Sequence, residues 1–211
     1  MTPEDFIRAN AQLMSAPLVP EIKLHLATEI VPLWRKTEEE LAAMGVPPPY
    51  WAFAWAGGQA LARYILDNPA LVAGKTVLDF GSGSGLVALA AAKAGAKNVL
   101  AADIDKFSVA AIQANADANN LTVATTSEDL IGGPASFEVI LVGDMCYERP
   151  LAERLMTWLQ SSAALILLGD PGRSYFPKTG LTRLALYNVA TTRELEDREI
   201  RETGVWRLIR D

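Results

Sequence analysis

From residue 57 onward, short apolar runs and longer stretches with helical spacing take turns along the chain. Runs of strand length fall at 76–80, 98–102, 122–125, 137–142 and 163–168, and helical spacing marks 57–66, 85–94, 106–119 and 150–160. Such alternation requires right-handed crossovers, and therefore a parallel sheet with helices on its faces. The tail breaks the rhythm. Residues 184–192 and 205–209 read as two strands joined by a charged connection, an antiparallel end to the sheet. Ahead of the alternating region, Thr2-Pro3-Glu4-Asp5 reads as N-cap, N1 proline and acidic first turn of a helix running to about residue 13. Ile22-Lys23-Leu24-His25-Leu26 alternates as a strand, with His25 on its outward side. A second short helix is predicted over 37–45, from the capping-box Glu40 to the C′ glycine Gly45. Pro47-Pro48-Pro49 then divides an N-terminal extension, 1–46, from a domain over 47–211. The extension directly precedes an aromatic run and is placed to cap a site.

The run Val77-Leu78-Asp79-Phe80-Gly81-Ser82-Gly83-Ser84-Gly85 carries the clearest chemistry. An apolar strand ends in an acid, empties into a turn with glycine at alternate positions, and enters a helix at once. Glycine has no Cβ and tolerates positive φ, so such a turn lets the backbone approach a ligand closely. A dinucleotide fold would need a third glycine at position 86, where Leu86 stands. The acid followed by G-x-G-x-G resembles instead the cofactor loop of class I methyltransferases, which bind S-adenosylmethionine.

In an open parallel sheet, ligands lie beyond the carboxyl ends of the strands. Asp79, Gly81, Ser82 and Gly83 are therefore expected around the amino-acid part of the cofactor. Asp103 ends the second strand and is expected at the ribose hydroxyls, with Ile104 beside it and Asp105 as helix cap. After the third strand, Asp129 is expected near the adenine amino group and Leu130 against the ring, with Glu128 as the other candidate acid. The fourth strand ends in Gly143-Asp144-Met145-Cys146-Tyr147, where a methyl acceptor would meet the cofactor and where Gly143 would border it. Enzymes that methylate planar nitrogens carry Pro-Pro after the Asn or Asp at this point; here positions 145 and 146 are Met and Cys.

Composition narrows the partners. With 25 acidic and 19 basic residues in 211, the chain lacks the clustered positive charge of a nucleic-acid surface, and its acidic middle suits a cationic substrate. One cysteine and one histidine leave no disulfide framework, no Cys-rich zinc site and no Ser-His scheme. No apolar stretch is long enough to span a membrane, and the first residues have neither a secretory nor an import pattern, so a cytosolic protein is expected.

Three stretches narrow the resemblance further. Asp144-x-x-Tyr147 resembles the acid-x-x-aromatic motif of seven-β-strand protein lysine methyltransferases. Together with Tyr50-Trp51-Ala52-Phe53-Ala54-Trp55-Ala56-Gly57-Gly58-Gln59 and Gly169-Asp170-Pro171-Gly172-Arg173, it is similar to the lysine methyltransferases of the electron transfer flavoprotein β subunit. That resemblance implies a Rossmann-like three-layer sandwich, with a mostly parallel seven-stranded sheet, an antiparallel C-terminal hairpin and an N-terminal helical extension. It also implies S-adenosylmethionine as cofactor and a lysine-bearing protein as substrate. By the same resemblance Trp55 and Gln59 belong to the cofactor pocket, Asp144 and Tyr147 face the lysine, and Trp51, Phe53, Asp170 and Arg173 form the substrate side. Trp51, Phe53 and Trp55 also fit a period-2 core stripe. The chain departs from the family run at Ala56 and Cys146, neither change removing a polar group. The animal relatives require mitochondrial import, so the absence of an import segment points to a bacterial-type cytosolic version. The other readings are a methyltransferase of a ribosomal protein or small molecule, an NAD-dependent oxidoreductase, and a cofactor-binding protein without catalysis.

Overall fold

The computed structural model describes residues 2–27, 47–134, 136–191 and 199–209. Helix α1 (Pro3–Asn10) leads into a hairpin of β1 (Gln12–Ala16) and β2 (Val19–Leu26). A 3₁₀ turn, Tyr50–Ala52, precedes α2 (Ala56–Asp67). The remainder alternates as β3 (Thr76–Phe80), α3 (Leu86–Lys93), β4 (Asn98–Ala102), α4 (Lys106–Ala118), β5 (Ala124–Thr126), β6 (Val139–Gly143), α5 (Arg149–Ser161) and β7 (Leu165–Asp170), and closes with β8 (Leu181–Ala190) and β9 (Ile200–Leu208). The sheet has seven strands in the order β5-β4-β3-β6-β7-β9-β8. The first five are parallel; β9 runs antiparallel to both β7 and β8. The chain moves outward from β3 to β5, then returns to β6 on the other side of β3, and the switch in direction opens a crevice at the strand ends.

Strand residues alternate between two cores. Val77, Val139, Leu141 and Leu167 join α2, α3 and α4 on one face, while Leu78, Phe80, Ile140, Val142, Ile166 and Leu168 join Leu155, Trp158 and Leu159 of α5 on the other. Both faces of the central strands are buried, which is why their sequence reads as continuous apolar runs. The terminal strands begin and end earlier than hydropathy predicts, because β8 and β9 pair from Leu181↔Leu208 to Ala190↔Ile200 through polar positions such as Arg201 and Thr203.

At the N-terminus Thr2 caps the helix as expected, with Asp5 closing a capping box, but α1 stops at Asn10 because Ala11 turns to an extended conformation and feeds the hairpin. Val19, Ile22, Leu24 and Leu26 are buried in the same core as α2 to α4, so the hairpin completes that helical layer. His25 is half-buried rather than outward-facing. Its Nδ1 lies 2.8 Å from Asn115 Oδ1, and Asn115 Nδ2 donates to Ser84 O (2.7 Å) in the glycine turn. The helix predicted over 37–45 lies outside the described residues, and none of the described helices is long and apolar enough to cross a membrane.

Two local devices fix the crevice. The start of α2 lies directly on the ends of β6 and β7, with glycine on both sides. A Cβ on Gly169 would collide with the Gly57 carbonyl oxygen, and one on Gly57 would stand 2.5 Å from Asp144 Oδ2. Beneath the glycine turn, Asp79 is fully buried; its Oδ2 accepts from Ser82 Oγ (2.5 Å) and Ala88 N (2.9 Å), locking the turn onto the first part of α3. Burial pushes the Asp79 carboxyl up to about 7.

Gly169→Ala is expected to lower stability by about 2–3 kcal/mol, since the Gly57 carbonyl and the Leu61 Cβ stand in the way and neither is the end of a flexible side chain. Gly132→Ala, with φ +87° and open space around it, should cost about 1 kcal/mol; chemical denaturation of the two variants checks the ranking. Because folded Asp79 titrates above an unfolded carboxyl, the folded state keeps a proton through pH 4–7 that the unfolded chain has lost, and stability falls as pH rises across that window. Asp79→Asn keeps the acceptor oxygen and removes this loss. Its stability relative to wild type should grow by roughly 2–4 kcal/mol between pH 4 and pH 8, and a pH-independent difference in urea unfolding would contradict the assignment.

Candidate active site

A cavity of about 480 Å³ occupies the crevice beyond β3, β4 and β6, a size suited to a cofactor-sized ligand. Its floor is the glycine turn. Gly81 and Gly83 have φ of 66° and 52°, a left-handed conformation that favours glycine, and a Cβ on Gly81 would run into the Met145 side chain. Asp103 borders the cavity and is mostly buried, which raises its carboxyl above the usual range. Its Oδ2 accepts from Gly83 N (2.8 Å) and its Oδ1 from Asp105 N (3.0 Å), so one side chain ties the turn to the end of β4. Asp105 caps α4 through Phe107 N (2.9 Å), as its position predicts. Ile104, 75% exposed, forms the rim beside it.

Farther along, Glu128 and Asp129 both border the cavity. Asp129 Oδ1 accepts from Ile131 N (3.0 Å) and Oδ2 pairs with Arg154 of α5 at 2.9 Å; the Ile131 amide, and after it Arg154, hold its carboxyl below the usual carboxylate range. Leu130 does not reach the cavity. It packs on the core under α5, and Ile131 takes the wall position expected of it, because the tight Asp129–Ile131 turn directs the later side chain outward.

Opposite the glycine turn stands Asp144, buried and with φ +57°. Asp is among the few side chains that adopt this conformation readily. Its N–H donates to Gly169 O (3.0 Å). Oδ2 accepts from Gly58 N (3.0 Å), one of the amides at the start of α2 that have no intrahelical acceptor. Oδ1 accepts from both Nε (3.0 Å) and Nη2 (2.7 Å) of Arg173. Trp55, which caps no amide with its side chain, lies beneath the guanidinium with its ring centre 5.6 Å from Arg173 Cζ, and its Nε1 donates to Tyr50 O (3.0 Å). Tyr147 is partly exposed at the mouth, 5.9 Å ring to ring from Tyr50; burial pushes its hydroxyl up to about 12. Gly143 completes this wall, and a smaller recess between Trp55 and the glycine turn is bordered by Phe53, Asp79 and Ser82.

Besides Leu130, three expected site residues serve the backbone or the core instead. Trp51 is fully buried with Phe6, Ile7 and Ala111; the 3₁₀ turn rotates Tyr50 to the cavity and Trp51 inward, where an extended stripe would not. Gln59 is buried away from the cavity, donating from Nε2 to Ala54 O (2.6 Å) and accepting at Oε1 from Leu18 N (3.3 Å). Asp170 is also buried, accepting at Oδ1 from Gly172 N (2.6 Å) and Arg173 N (2.7 Å), and burial pushes it up to about 7. Phe53 belongs partly to the Trp51 cluster and meets Trp55 ring to ring at 5.9 Å. Tyr50, Met145, Ile131 and Arg154 also border the cavity, although none of them is expected there from sequence. Tyr50 and Met145 lie inside motifs already singled out, whereas the distant Asp129–Arg154 pairing leaves no local signal. Among the described residues no cluster of His, Cys, Asp and Glu is placed to hold a metal ion.

The family model for ribosomal protein L11 methyltransferase matches residues 59–145. The electron transfer flavoprotein β subunit lysine methyltransferase of Xenopus laevis is 40% identical over 97% of this chain and 86% of its own length. Its counterpart from Danio rerio is 38% identical over 97% and 82%. Among solved structures, magnesium protoporphyrin IX methyltransferase from Synechocystis PCC 6803 with bound S-adenosylmethionine superposes with a TM-score of 0.55 at 16% identity, over 73% of this chain and 78% of that one. That likeness shows the class I methyltransferase fold. The extent and level of identity to the lysine methyltransferases go further: this chain belongs to the electron transfer flavoprotein β-subunit lysine methyltransferase family.

Proposed function

We propose that this protein is an S-adenosylmethionine-dependent lysine N-methyltransferase that modifies the β subunit of electron transfer flavoprotein. The observation that carries the reading is the placement of Asp144, a carboxylate fixed at the start of α2 and directed at the cavity across from the glycine turn. The residues around the cavity fit the cofactor. Gly81 and Gly83 leave room for its amino-acid part, Asp103 stands at the ribose position, and Ile131 with Glu128 or Asp129 borders the adenine position. When bound, S-adenosylmethionine supplies an electrophilic methyl group on a sulfonium sulfur.

The chain's own task is to present an uncharged amine. A free lysine, with pKa about 10.4, requires about 4.6 kcal/mol to be neutral at pH 7. Asp144 holds and aims the lysine nitrogen. Tyr50, Trp55 and Tyr147 surround the approach and remove water from it, which disfavours the ammonium form. Orientation in such a channel is worth several kcal/mol. No imidazole serves as base, since His25 is engaged with Asn115 on the hairpin side of α4, and the lysine proton leaves to solvent. The matching stretch 59–145 also gives ribosomal protein L11 as a second acceptor to test. The acidic balance of the chain supports a protein rather than a nucleic-acid acceptor, and we place the activity in the cytoplasm.

Incubation with labelled cofactor and either acceptor, followed by mass spectrometry of the lysines, decides between them. Methylation is expected on the flavoprotein subunit, and modification of L11 alone would contradict the reading. Asp144→Asn, which keeps an acceptor for Gly58 N, should lower kcat by about 100-fold or more. Cofactor affinity by calorimetry should stay within about tenfold of wild type, so a near wild-type rate would end the assignment of Asp144.

A further inference from the structure

The Gly169-Asp170-Pro171-Gly172-Arg173 loop is built to deliver one guanidinium. Asp170, inside the fold, accepts from the backbone N–H of both Gly172 and Arg173, and the Trp55 ring lies beneath the Arg173 head group. The Arg173 side chain is only 18% exposed and directs two N–H groups at Asp144 Oδ1. An arginine this constrained is not a surface charge that happened on a carboxylate. We propose that Arg173 is a positioning residue: it aims Asp144 and offsets its charge, so that the site takes the acceptor lysine as an amine rather than as an ammonium.

The inference rests on the lysine methyltransferase reading and follows from its central difficulty. A lone carboxylate within about 4–6 Å raises the pKa of a neighbouring amine by about 1–3 units, which opposes the reaction the site has to support. Paired with Arg173, Asp144 still accepts hydrogen bonds but contributes little net charge. Among the described residues, the groups nearby are the following. Tyr147 and Cys146 are pushed up to about 12 by burial and stay neutral, and the Tyr50 ring faces Tyr147. Asp170, behind the loop, is pushed up to about 7 by burial, so it titrates near neutrality, while Asp103 and Glu148 act on the Tyr147 hydroxyl, pushing it further up.

The test is the pH dependence of kcat, which reports groups in the bound complex, with the flavoprotein subunit as acceptor in wild type, Arg173→Gln and Arg173→Lys, each also in an Asp170→Asn background so that the titration of Asp170 is not mistaken for that of the lysine. Arg173→Gln should move the acid limb up by about one unit or more in both backgrounds, a tenfold or greater loss at pH 7 that is recovered at high pH. Arg173→Lys should keep the limb near its wild-type place. Calorimetry of acceptor binding in the presence of S-adenosylhomocysteine, in buffers of different ionisation enthalpy, reads the same effect without turnover: wild type should release more protons than Arg173→Gln at pH 8.5. A uniform loss at every pH with an unmoved limb and equal proton release overturns the proposal and leaves Arg173 a structural residue. A wild-type enzyme that methylates no lysine overturns the parent reading as well, so the two failures are distinct.

Discussion

The site depends on a joint without side chains. Where α2 begins, Gly57 and Gly58 lie against Gly143 and Gly169 at the ends of β6 and β7, and a single methyl group at Gly57 or Gly169 would force the helix off the sheet. The closeness brings the unpaired amide of Gly58 within 3.0 Å of Asp144. A helix start attracts negative charge, through both its free N–H groups and its dipole. The left-handed backbone at Asp144, held by its N–H on Gly169 O, turns the carboxylate back toward that helix start. Packing, backbone geometry and electrostatics thus converge on one oxygen pair.

The acidic residues of the crevice divide into two roles according to depth. Asp79 and Asp170 are buried and spend their oxygens on backbone amides and a hydroxyl, giving the glycine turn and the Arg173 loop their shapes. Asp103 does both, clamping Gly83 while bordering the cavity. Asp144 and Asp129 are each matched by an arginine from another element. At Asp144 and Asp129, a site that reads as acidic in sequence is therefore locally charge-paired in space. That difference governs what it holds: a bare acidic pocket traps cations, whereas a balanced one can accept a neutral amine.

Much of the fold is legible in the sequence, because alternating apolar runs and helical spacing report burial on both faces of a parallel sheet. The glycine turn, the Asp105 cap and Asp103 at the end of β4 also follow from local rules. What stays hidden depends on contacts distant along the chain. The hairpin strand β1 is missed because its own burial is slight and its pairing with β2 defines it. Trp51 and Gln59 belong to a motif whose Tyr50 and Trp55 border the cavity, yet a 3₁₀ turn and a hairpin contact direct them elsewhere. Arg154 and the partnership of Arg173 with Asp144, 29 residues away, have no signature in spacing or composition. Motif membership marks the neighbourhood; tertiary contact assigns the role.

The most direct measurement is a crystal structure of the protein with S-adenosylhomocysteine and an acceptor lysine in place. The account predicts the lysine nitrogen between Asp144 and the sulfur, aligned with the direction from which the methyl group would be taken, with the Asp144–Arg173 pair and the Gly58 contact intact. A lysine entering from the Asp129–Arg154 side, or an Asp144 carboxylate swung away from the start of α2, would contradict it.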